Sequence, residues 1–282
     1  MNTPRLLPYA LIAPAVVFLA AFFLLPLAQT IALSFQSGDG IGLDNYARLV
    51  GDLNFSTALR NTFLLVITIV PIQVVLALLM GMMLQTMVRG RDLVLWIWTI
   101  PLGVSDLAAG LVWLALLQDS GYLNSALYAL GLIDGPRSWL NAEAPVTLFL
   151  GIVAAEVWRA TAIVLVILVA GLQLIPKEYG EAAEVFGASP WVKFRKVTLP
   201  LLKPSLQSAL ILRTVLAFEV FAVVYAIGGR NMPVLVGEAY VWQRDNQNYG
   251  VAAAYAVLIM AISLAATVIY LKALRVRPEQ QP

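Results

Sequence analysis

The sequence predicts an all-α protein that crosses a membrane six times. Of its 282 residues, 61% are hydrophobic and 12% are charged, whereas a soluble domain has about 45–50% apolar and about 25% charged residues. The charged residues are unevenly spread, since none lies in 6–38, 61–88 or 246–271. Each of these intervals is longer than the roughly 20 apolar residues that a helix needs to cross the hydrocarbon core.

The predicted spans are 6–35, 61–88, 93–117, 145–172, 204–227 and 248–271. The first is longer than the apolar region of a signal peptide, and Pro26 stands where a cleavage site would need small residues. We therefore retain it as a helix. Only a few residues join the second and third spans, so these should be antiparallel neighbours. With no internal repeat or linker, the sequence indicates one membrane domain over 1–282.

The basic residues orient the chain by the positive-inside rule. On the side of the termini lie eleven of them: Arg5, Arg89, Arg91, Lys177, Lys193, Arg195, Lys196, Lys203, Lys272, Arg275 and Arg277. On the other side lie five: Arg48, Arg60, Arg137, Arg230 and Arg244. The rule therefore places both termini in the cytoplasm.

Several function classes lack the residues they require. The chain has no His and no Cys, which excludes His/Cys metal sites, Ser-His-Asp and Cys-His catalysis, and disulfides. A net charge of +2 gives no basis for nucleic-acid binding. None of the lysines follows a glycine and precedes Ser or Thr as a P-loop requires. We predict no catalytic residue, no metal site and no ATP hydrolysis by this chain.

The segment 173–203 is the longest loop on the side of the termini, and its pattern is helical. A first helix over 177–186 should end at Gly187, a residue suited to the position after a helix C-cap. Ser189 then offers an N-cap, with Pro190 at the first helical position. Apolar residues of this second helix recur at helical spacing, with two lysines on another face: Trp191, Phe194 and Val197, then Lys193 and Lys196.

Two interpretations of this segment remain open. A basic amphipathic helix can lie in the lipid interface, where Lys and Trp are both favoured. Alternatively, two short helices joined by a tight glycine turn can form a rigid projection that docks on a cytoplasmic partner. The acidic first helix and the glycine turn favour docking, because an interfacial anchor needs neither.

The segment also resembles a known family. Glu181-Ala182-Ala183, then Gly187, then Leu199-Pro200 resemble the EAA loop of permease subunits in ATP-binding-cassette importers. The stretches Leu7-Pro8-Tyr9, Ala13-Pro14 and Gly42-Leu43-Asp44-Asn45-Tyr46 are similar to its carbohydrate-uptake branch, which includes the maltose and trehalose permeases. The resemblance extends over nearly the whole chain, from residue 6 to about residue 271.

The resemblance implies a set of partners. Two homologous permease chains would form the pathway in the cytoplasmic membrane, and an external solute-binding protein would deliver a sugar. Two ATPase subunits would bind ATP and Mg, so this chain would bind no cofactor. The loop 173–203 would couple to the ATPase through residues matching the motif: Glu181, Ala182, Ala183, Gly187, Ser189, Pro190, Trp191 and Lys193.

Five charged residues interrupt the third, fourth and fifth spans: Asp106, Glu156, Arg159, Arg213 and Glu219. A charge at the bilayer centre costs at least about 2.5–3.5 kcal/mol on insertion scales, so each requires compensation. Glu156 and Arg159 are three apart on one helix and can pair. Arg213 could neutralise Glu219. The set forms either a network of paired charges that holds the spans together or a solvated sugar site.

Similarity to the maltose permease implies which positions contact substrate. Counting from shared landmarks gives Leu102, Asp106, Glu156, Arg159, Ala160, Ile163, Leu212, Leu216 and Glu219, with Arg213 nearby. Four aromatic residues are candidates for stacking on a sugar ring: Trp113, Trp158, Phe218 and Tyr255.

The sequence therefore predicts the permease subunit of a sugar importer. Two alternatives remain: a glycerol-phosphate permease of the same branch, and a proton-coupled secondary transporter that uses the buried carboxylates as proton relays.

Overall fold

The computed structural model describes residues 7–38, 40–141 and 143–275. Three charges used for orientation or charge spacing, Arg5, Asp39 and Arg277, lie outside the described residues. The described chain divides into two compact units. The first comprises the residues up to Ser56 together with Leu235–Ala261, and the second comprises Thr57–Val234 together with the residues from Ile262.

The first unit begins with a long apolar helical run. Helix α1 (Leu7–Leu19) passes through a π-helical turn (Ala20–Leu24) into α2 (Leu25–Ser34). Pro26 stands directly after the π-helical turn, and because proline has no N–H to donate to the preceding turn, the helix is widened there. The run from Tyr9 to Ser34 is long and apolar enough to span a membrane, in agreement with the first predicted span.

Two polar side chains, those of Asn45 and Asp52, stabilise the rest of the first unit. A short hairpin, β1 (Gln36–Ser37) antiparallel to β2 (Gly40–Ile41), precedes α3 (Asp44–Val50). The Asn45 amide donates to the carbonyls of Leu33, Ser34 and Gln36 at 3.3, 3.3 and 2.8 Å. The chain therefore turns back tightly after α2.

The Asp52 carboxylate ties together the remaining helices of this unit. Later in the chain lie α13 (Leu235–Arg244) and the start of α14 (Tyr249–Ala273). Asp52 accepts a 2.5 Å bond from the Trp242 Nε1–H and a 2.9 Å bond from the Tyr255 hydroxyl. Tyr255 is fully buried, so its ring is not offered to a ligand.

The second unit contains the other elements, and most of them are helices. In chain order these are α4 (Phe55–Thr86, from its third residue), α5 (Arg91–Thr99), a 3₁₀ turn (Ile100–Gly103), α6 (Asp106–Leu117), α7 (Tyr122–Ala129), α8 (Pro145–Gln173), α9 (Lys177–Val185), α10 (Pro190–Lys193), a π-helical turn (Phe194–Thr198), α11 (Leu199–Phe218), α12 (Ala222–Gly228) and a 3₁₀ turn (Gly229–Asn231).

Six spans are present if one bent helix pair counts as a span. Within the described ranges five helices are long and apolar enough to cross a membrane, and the pair Arg91–Gly103 and Asp106–Ala129 meets at 97°. The third span was predicted as one helix over 93–117, and the structure breaks it after Gly103. Pro101 removes a backbone donor, Val104 is extended, and Ser105 caps a new helix by accepting from the Ala108 N–H.

The fifth span also differs from the prediction of 204–227. Its helical run begins much earlier, because Pro190–Phe218 is continuous. The run then ends at Phe218, and α12 starts only at Ala222. The predicted second loop helix is therefore not separate from the fifth span but forms its first turns.

Two apolar clusters form the core of the second unit, one toward each end of α8. One includes Leu148, Ile152 and Val153 of α8 with residues of α4 and α12. The other includes Val164, Leu165 and Leu168 of α8 with residues of α4 and α11. The α8 residues between the two clusters include Glu156 and Arg159.

Candidate functional site

Four of the five charged residues predicted inside the spans, all but Glu219, meet between the two apolar clusters. In α4, α8 and α11, the polar residue lies along the sequence between residues of one cluster and residues of the other. In α4, Gln73 lies between Ile69 of one cluster and Ala77 of the other. In α11, Arg213 lies between Ala209 of one cluster and Val220, just after the helix, of the other. We call Gln73, Asp106, Glu156, Arg159 and Arg213 the charge layer.

Three side chains of the charge layer are fully enclosed. The Arg213 guanidinium donates from Nη2 to Glu156 Oε2 at 2.8 Å and from Nε to Gln73 Oε1 at 2.5 Å. The Gln73 amide donates in turn to the backbone carbonyl of Glu156 at 2.8 Å. The Glu156 and Arg213 side chains are each 1% exposed. Because their charges are paired and hydrogen-bonded, the buried arrangement joins α4, α8 and α11 at one depth.

Two further side chains bring the layer to the surface of the unit. Arg159 donates from Nη2 to Glu156 at 3.3 Å, which confirms the pairing predicted from their spacing. Its Nη1 lies 2.8 Å from Asp106 Oδ1. The Asp106 side chain is 53% exposed and that of Arg159 13%. Asp106 is thus the point at which a ligand can reach the layer, on the first turn of α6 after the bend.

Glu219 does not join the layer. It lies in the break between α11 and α12 with an exposed side chain, and in the described part of the chain it has no ion-pair partner. The expectation that Arg213 neutralises Glu219 is therefore wrong. A spacing of six residues puts Arg213 and Glu219 on different sides of a helix. Arg213 pairs with Glu156 of α8 instead.

The other predicted contact positions fall into two groups. Leu102, Leu212 and Leu216 are 45%, 44% and 36% exposed, so they are open to a ligand or to lipid. Ala160 is fully buried and Ile163 is half-buried, so a ligand reaches Ala160 only if its neighbours move. Their role in substrate contact stays a prediction.

Two of the candidate aromatic residues lie beside the layer. Trp113 of α6 and Trp158 of α8 have ring centroids 6.4 Å apart, and Trp158 is 40% exposed. Asp106 and Trp113 are seven residues apart, which puts them on one face of α6. Phe218 is buried and packs edge-on against Phe63, so Trp158 is the most exposed of these aromatic residues.

Gln73 was missed by sequence reasoning. The search for charged residues passed over the second span, which has none, although a lone amide within an apolar run could have drawn attention. A buried side-chain amide requires partners. Nothing in the sequence indicates that these are Arg213 and Glu156, because they are 140 and 83 residues away.

The loop after α8 has the predicted capped geometry. Gly187 has φ +73°, and the Gly187 and Ala188 N–H groups donate to the carbonyls of Glu184 and Ala183, both at 2.9 Å, which closes α9 as a Schellman motif. Ser189 accepts from the Val192 N–H at the start of α10. Both helix ends proposed from the sequence are confirmed.

Three features define the surface of this loop. Lys193 Nζ lies 2.6 Å from Glu184 Oε1, linking α9 to α10. Val185 and Phe186 are 86% and 89% exposed, and Trp191 is 65% exposed. The motif residues Glu181, Ala182, Ser189 and Pro190 are also exposed, whereas Ala183 is half-buried. This loop therefore presents an apolar surface beside charged groups, as protein-docking surfaces do.

No resident metal ion is suggested by the described residues, among which no group of three acidic side chains is arranged to hold one. The charge layer has equal numbers of carboxylates and guanidinium groups, and each guanidinium is paired. This chemistry suits hydrogen bonding to a polar ligand in apolar surroundings.

Comparison with known proteins agrees with this architecture. Residues 50–272 match the family described as binding-protein-dependent transport system inner membrane component. The trehalose/maltose transport system permease protein of Thermococcus litoralis is 32% identical over 96% of this chain and 94% of its own. The trehalose transport system permease protein of Mycobacterium tuberculosis is 32% identical over 95% and 88%.

The fold also matches a solved structure. A chain of a bacterial ABC transporter involved in the import of the acidic polysaccharide alginate superposes with a TM-score of 0.82, and the match covers 95% of each chain. At 21% sequence identity, this likeness concerns the fold alone.

Proposed function

Since this chain belongs to the family of inner membrane components of binding-protein-dependent transport systems, we propose that it is the permease subunit of an ATP-driven sugar importer. The observation that carries the proposal is the helical run Pro190–Phe218. One end of this run is the exposed loop helix, and Arg213 of the charge layer lies near the other end. Movement of a partner docked on the loop would be transmitted along a rigid helix to that layer.

A sugar as substrate is supported by the names of the relatives and by the chemistry of the layer. Both named relatives are trehalose permeases by description. A sugar crossing an apolar region needs partners for its hydroxyl groups, since an unpaired buried hydroxyl is costly. Asp106 is a half-exposed carboxylate that can accept from hydroxyls, and the ring of Trp158, which precedes Arg159 in α8, is exposed.

The proposed partners follow the division of labour in such importers. Two ATPase subunits bind ATP and Mg, and one of them docks on the loop of this chain, which exposes Val185, Phe186 and Trp191. This chain binds no cofactor. A second, homologous permease chain completes the pathway, and an external solute-binding protein delivers the sugar. The chain lies in the cytoplasmic membrane with both termini and the loop inside, in accordance with the distribution of basic residues.

In the proposed cycle, the site around Asp106, Arg159 and Glu219 opens outward when the ATPases close and inward after hydrolysis. The loop geometry supports rigid transmission, because Gly187 and Ser189 close both helix ends and the Lys193–Glu184 pair links them. Such a capped pair of helices moves as one body.

The test is transport by the complete complex in proteoliposomes. The complex should take up radiolabelled trehalose or maltose only with its binding protein and internal ATP, and a collapsed proton gradient should not change the rate. Uptake driven by a proton gradient without ATP would contradict the proposal and favour a secondary transporter.

A matched pair of glycine variants tests the coupling role of the loop. Gly187 and Gly131 have φ of +73° and +69° and open space at a Cβ position, so Gly187→Ala and Gly131→Ala impose similar backbone strain, about 1–2 kcal/mol each. Of the two glycine variants, only Gly187→Ala should reduce uptake relative to ATP hydrolysis. The loop variant Glu181→Gln, at an exposed motif position, should also reduce it. Unchanged uptake per ATP in both loop variants would contradict the coupling role.

A further inference from the structure

We infer that the charge layer selects electrically neutral saccharides and rejects anionic substrates such as sn-glycerol 3-phosphate or uronic acids. This inference rests on the proposed function, because it concerns the substrate class of the same site. It follows from how the charges of the layer are paired and from which of them are exposed.

Both guanidinium groups of the layer are already occupied by acceptors of this chain. Arg213 is held by Glu156 and Gln73 and is 1% exposed. Arg159 uses Nη1 for Asp106 and Nη2 for Glu156. Its Nε has no hydrogen-bond partner among the described residues but is buried, so a ligand does not reach it in this conformation. An anionic substrate therefore meets no free cation here, and could be bound only by breaking an existing ion pair.

The carboxylates differ from the guanidinium groups, because Asp106 of the layer and Glu219 outside it are exposed, whereas Glu156 is buried. Asp106 accepts from Arg159 through Oδ1, and no described residue donates to its Oδ2. Glu219 is exposed and has no ion-pair partner among the described residues. Asp106, Glu156 and Glu219 together outnumber Arg159 and Arg213 by one charge, so the accessible part is acidic.

The packing of α6 against α12 places the start of α12, three residues after Glu219, one turn along α6 from Asp106. Gly110 of α6 packs directly against Val223 of α12. Asp106 precedes Gly110 by four residues, and Glu219 precedes Val223 by four. The helices α6 and α12 run parallel, because both are antiparallel to α8.

Contacts at the C-terminal ends of α6 and α12 show that both helices run antiparallel to α8. Gly151 of α8 packs against Leu117 near the end of α6, and Gly228 at the end of α12 packs against Leu148 and Ile152. Asp106, at the start of α6, instead meets Arg159 further along α8. Asp106 thus lies beside α8 at the level of its charged turn, and Glu219 lies in the break that precedes α12.

Neutral and anionic substrates differ sharply at such a surface. Sugar hydroxyls donate to carboxylates in charge-assisted hydrogen bonds, which are about twice as strong as neutral ones. A phosphate, sulfonate or uronate oxygen cannot donate and is repelled by the exposed carboxylates, and the low dielectric of the surroundings strengthens that repulsion. The glycerol-phosphate alternative is therefore disfavoured for this chain.

The experiment measures binding to the permease without the binding protein, which would impose its own selectivity. Saturation-transfer NMR on the purified permease–ATPase complex detects weak ligands directly. The probes are trehalose, maltose and glucose as neutral saccharides, and sn-glycerol 3-phosphate and galacturonate as anions. We expect transfer to at least one neutral probe, and at least roughly tenfold less to both anions.

Variants assign the selectivity to this chain. Asp106→Asn and Glu219→Gln should each reduce transfer to the neutral probe by roughly tenfold. Asp106→Asn should also admit the anions, because it frees Arg159. Asp134→Asn is the matched control, because Asp134 is exposed and lies outside the spans. The complex with this variant should bind the probes as the wild type does.

The outcomes separate the inference from the proposed function. Comparable transfer to an anionic probe in the wild type, or unchanged selectivity in both site variants, would overturn the inference while ATP-dependent sugar uptake stands. Absence of transfer to every neutral saccharide would overturn it as well. Absence of ATP-dependent uptake of any saccharide in proteoliposomes would instead overturn the proposed function.

Discussion

The two halves of the charge layer contrast in exposure and in partners. In the buried half, Gln73, Glu156 and Arg213 satisfy one another between two apolar clusters, and the charged side chains are 1% exposed. In the exposed half, Arg159 holds Asp106, whose side chain is 53% exposed. Breaking a buried pair leaves an uncompensated charge, whereas an exposed pair is worth little. The buried half should therefore determine stability and the exposed half ligand binding.

The largest expected effect is that of Arg213→Met. Removing the guanidinium leaves Glu156 with only the 3.3 Å contact to Arg159, and loss of one partner of a buried pair costs about 3–5 kcal/mol. The midpoint of thermal unfolding of the purified complex should fall strongly. The double variant Glu156→Leu with Arg213→Met removes both charges and should be more stable than Arg213→Met alone. Wild-type stability of Arg213→Met would show that the pair is not structural.

A smaller loss is expected for Gln73→Leu. This change leaves Arg213 Nε without its acceptor, which costs about 1–3 kcal/mol. Gln85→Leu is a suitable control, since Gln85 of the same helix also donates to an α8 carbonyl, that of Leu172 at 3.2 Å, but contacts no ion. The midpoint of thermal unfolding should be lower for Gln73→Leu than for Gln85→Leu. Equal midpoints would mean that the amide does not support the ion pair.

The smallest effect on stability is expected for Asp106→Asn. Its pair with Arg159 is half in solvent, and such a pair contributes about 0–1 kcal/mol. The unfolding midpoint should stay near that of the wild type, even though sugar uptake falls. A loss of stability as large as that of Arg213→Met would remove the distinction between the two halves.

Local signals in the sequence predicted part of this arrangement. The i, i+3 spacing of Glu156 and Arg159 gave their pairing, and Gly187 and Ser189 gave the ends of the loop helices, because these depend on neighbouring residues alone. The apolar segments, three without charge and three interrupted by one or two charges, gave the number of spans for the same reason.

Contacts between residues far apart in the chain could not be predicted from the sequence. The partners of Arg213 come from α4 and α8, and helix propensity does not report which helices pack together. The break after Phe218 was also missed. It occurs within an apolar run, where composition indicates a span but not its continuity. The exposure that distinguishes Asp106 from Glu156 follows from this packing.

The most direct test compares sugar binding between the two halves of the layer. Saturation transfer from the purified complex to its neutral saccharide should be measured for Asp106→Asn and Gln73→Leu, at a temperature where both remain folded. The account predicts a loss of roughly tenfold for Asp106→Asn, with transfer in Gln73→Leu close to that of the wild type. Full transfer in Asp106→Asn together with a loss in Gln73→Leu would contradict it.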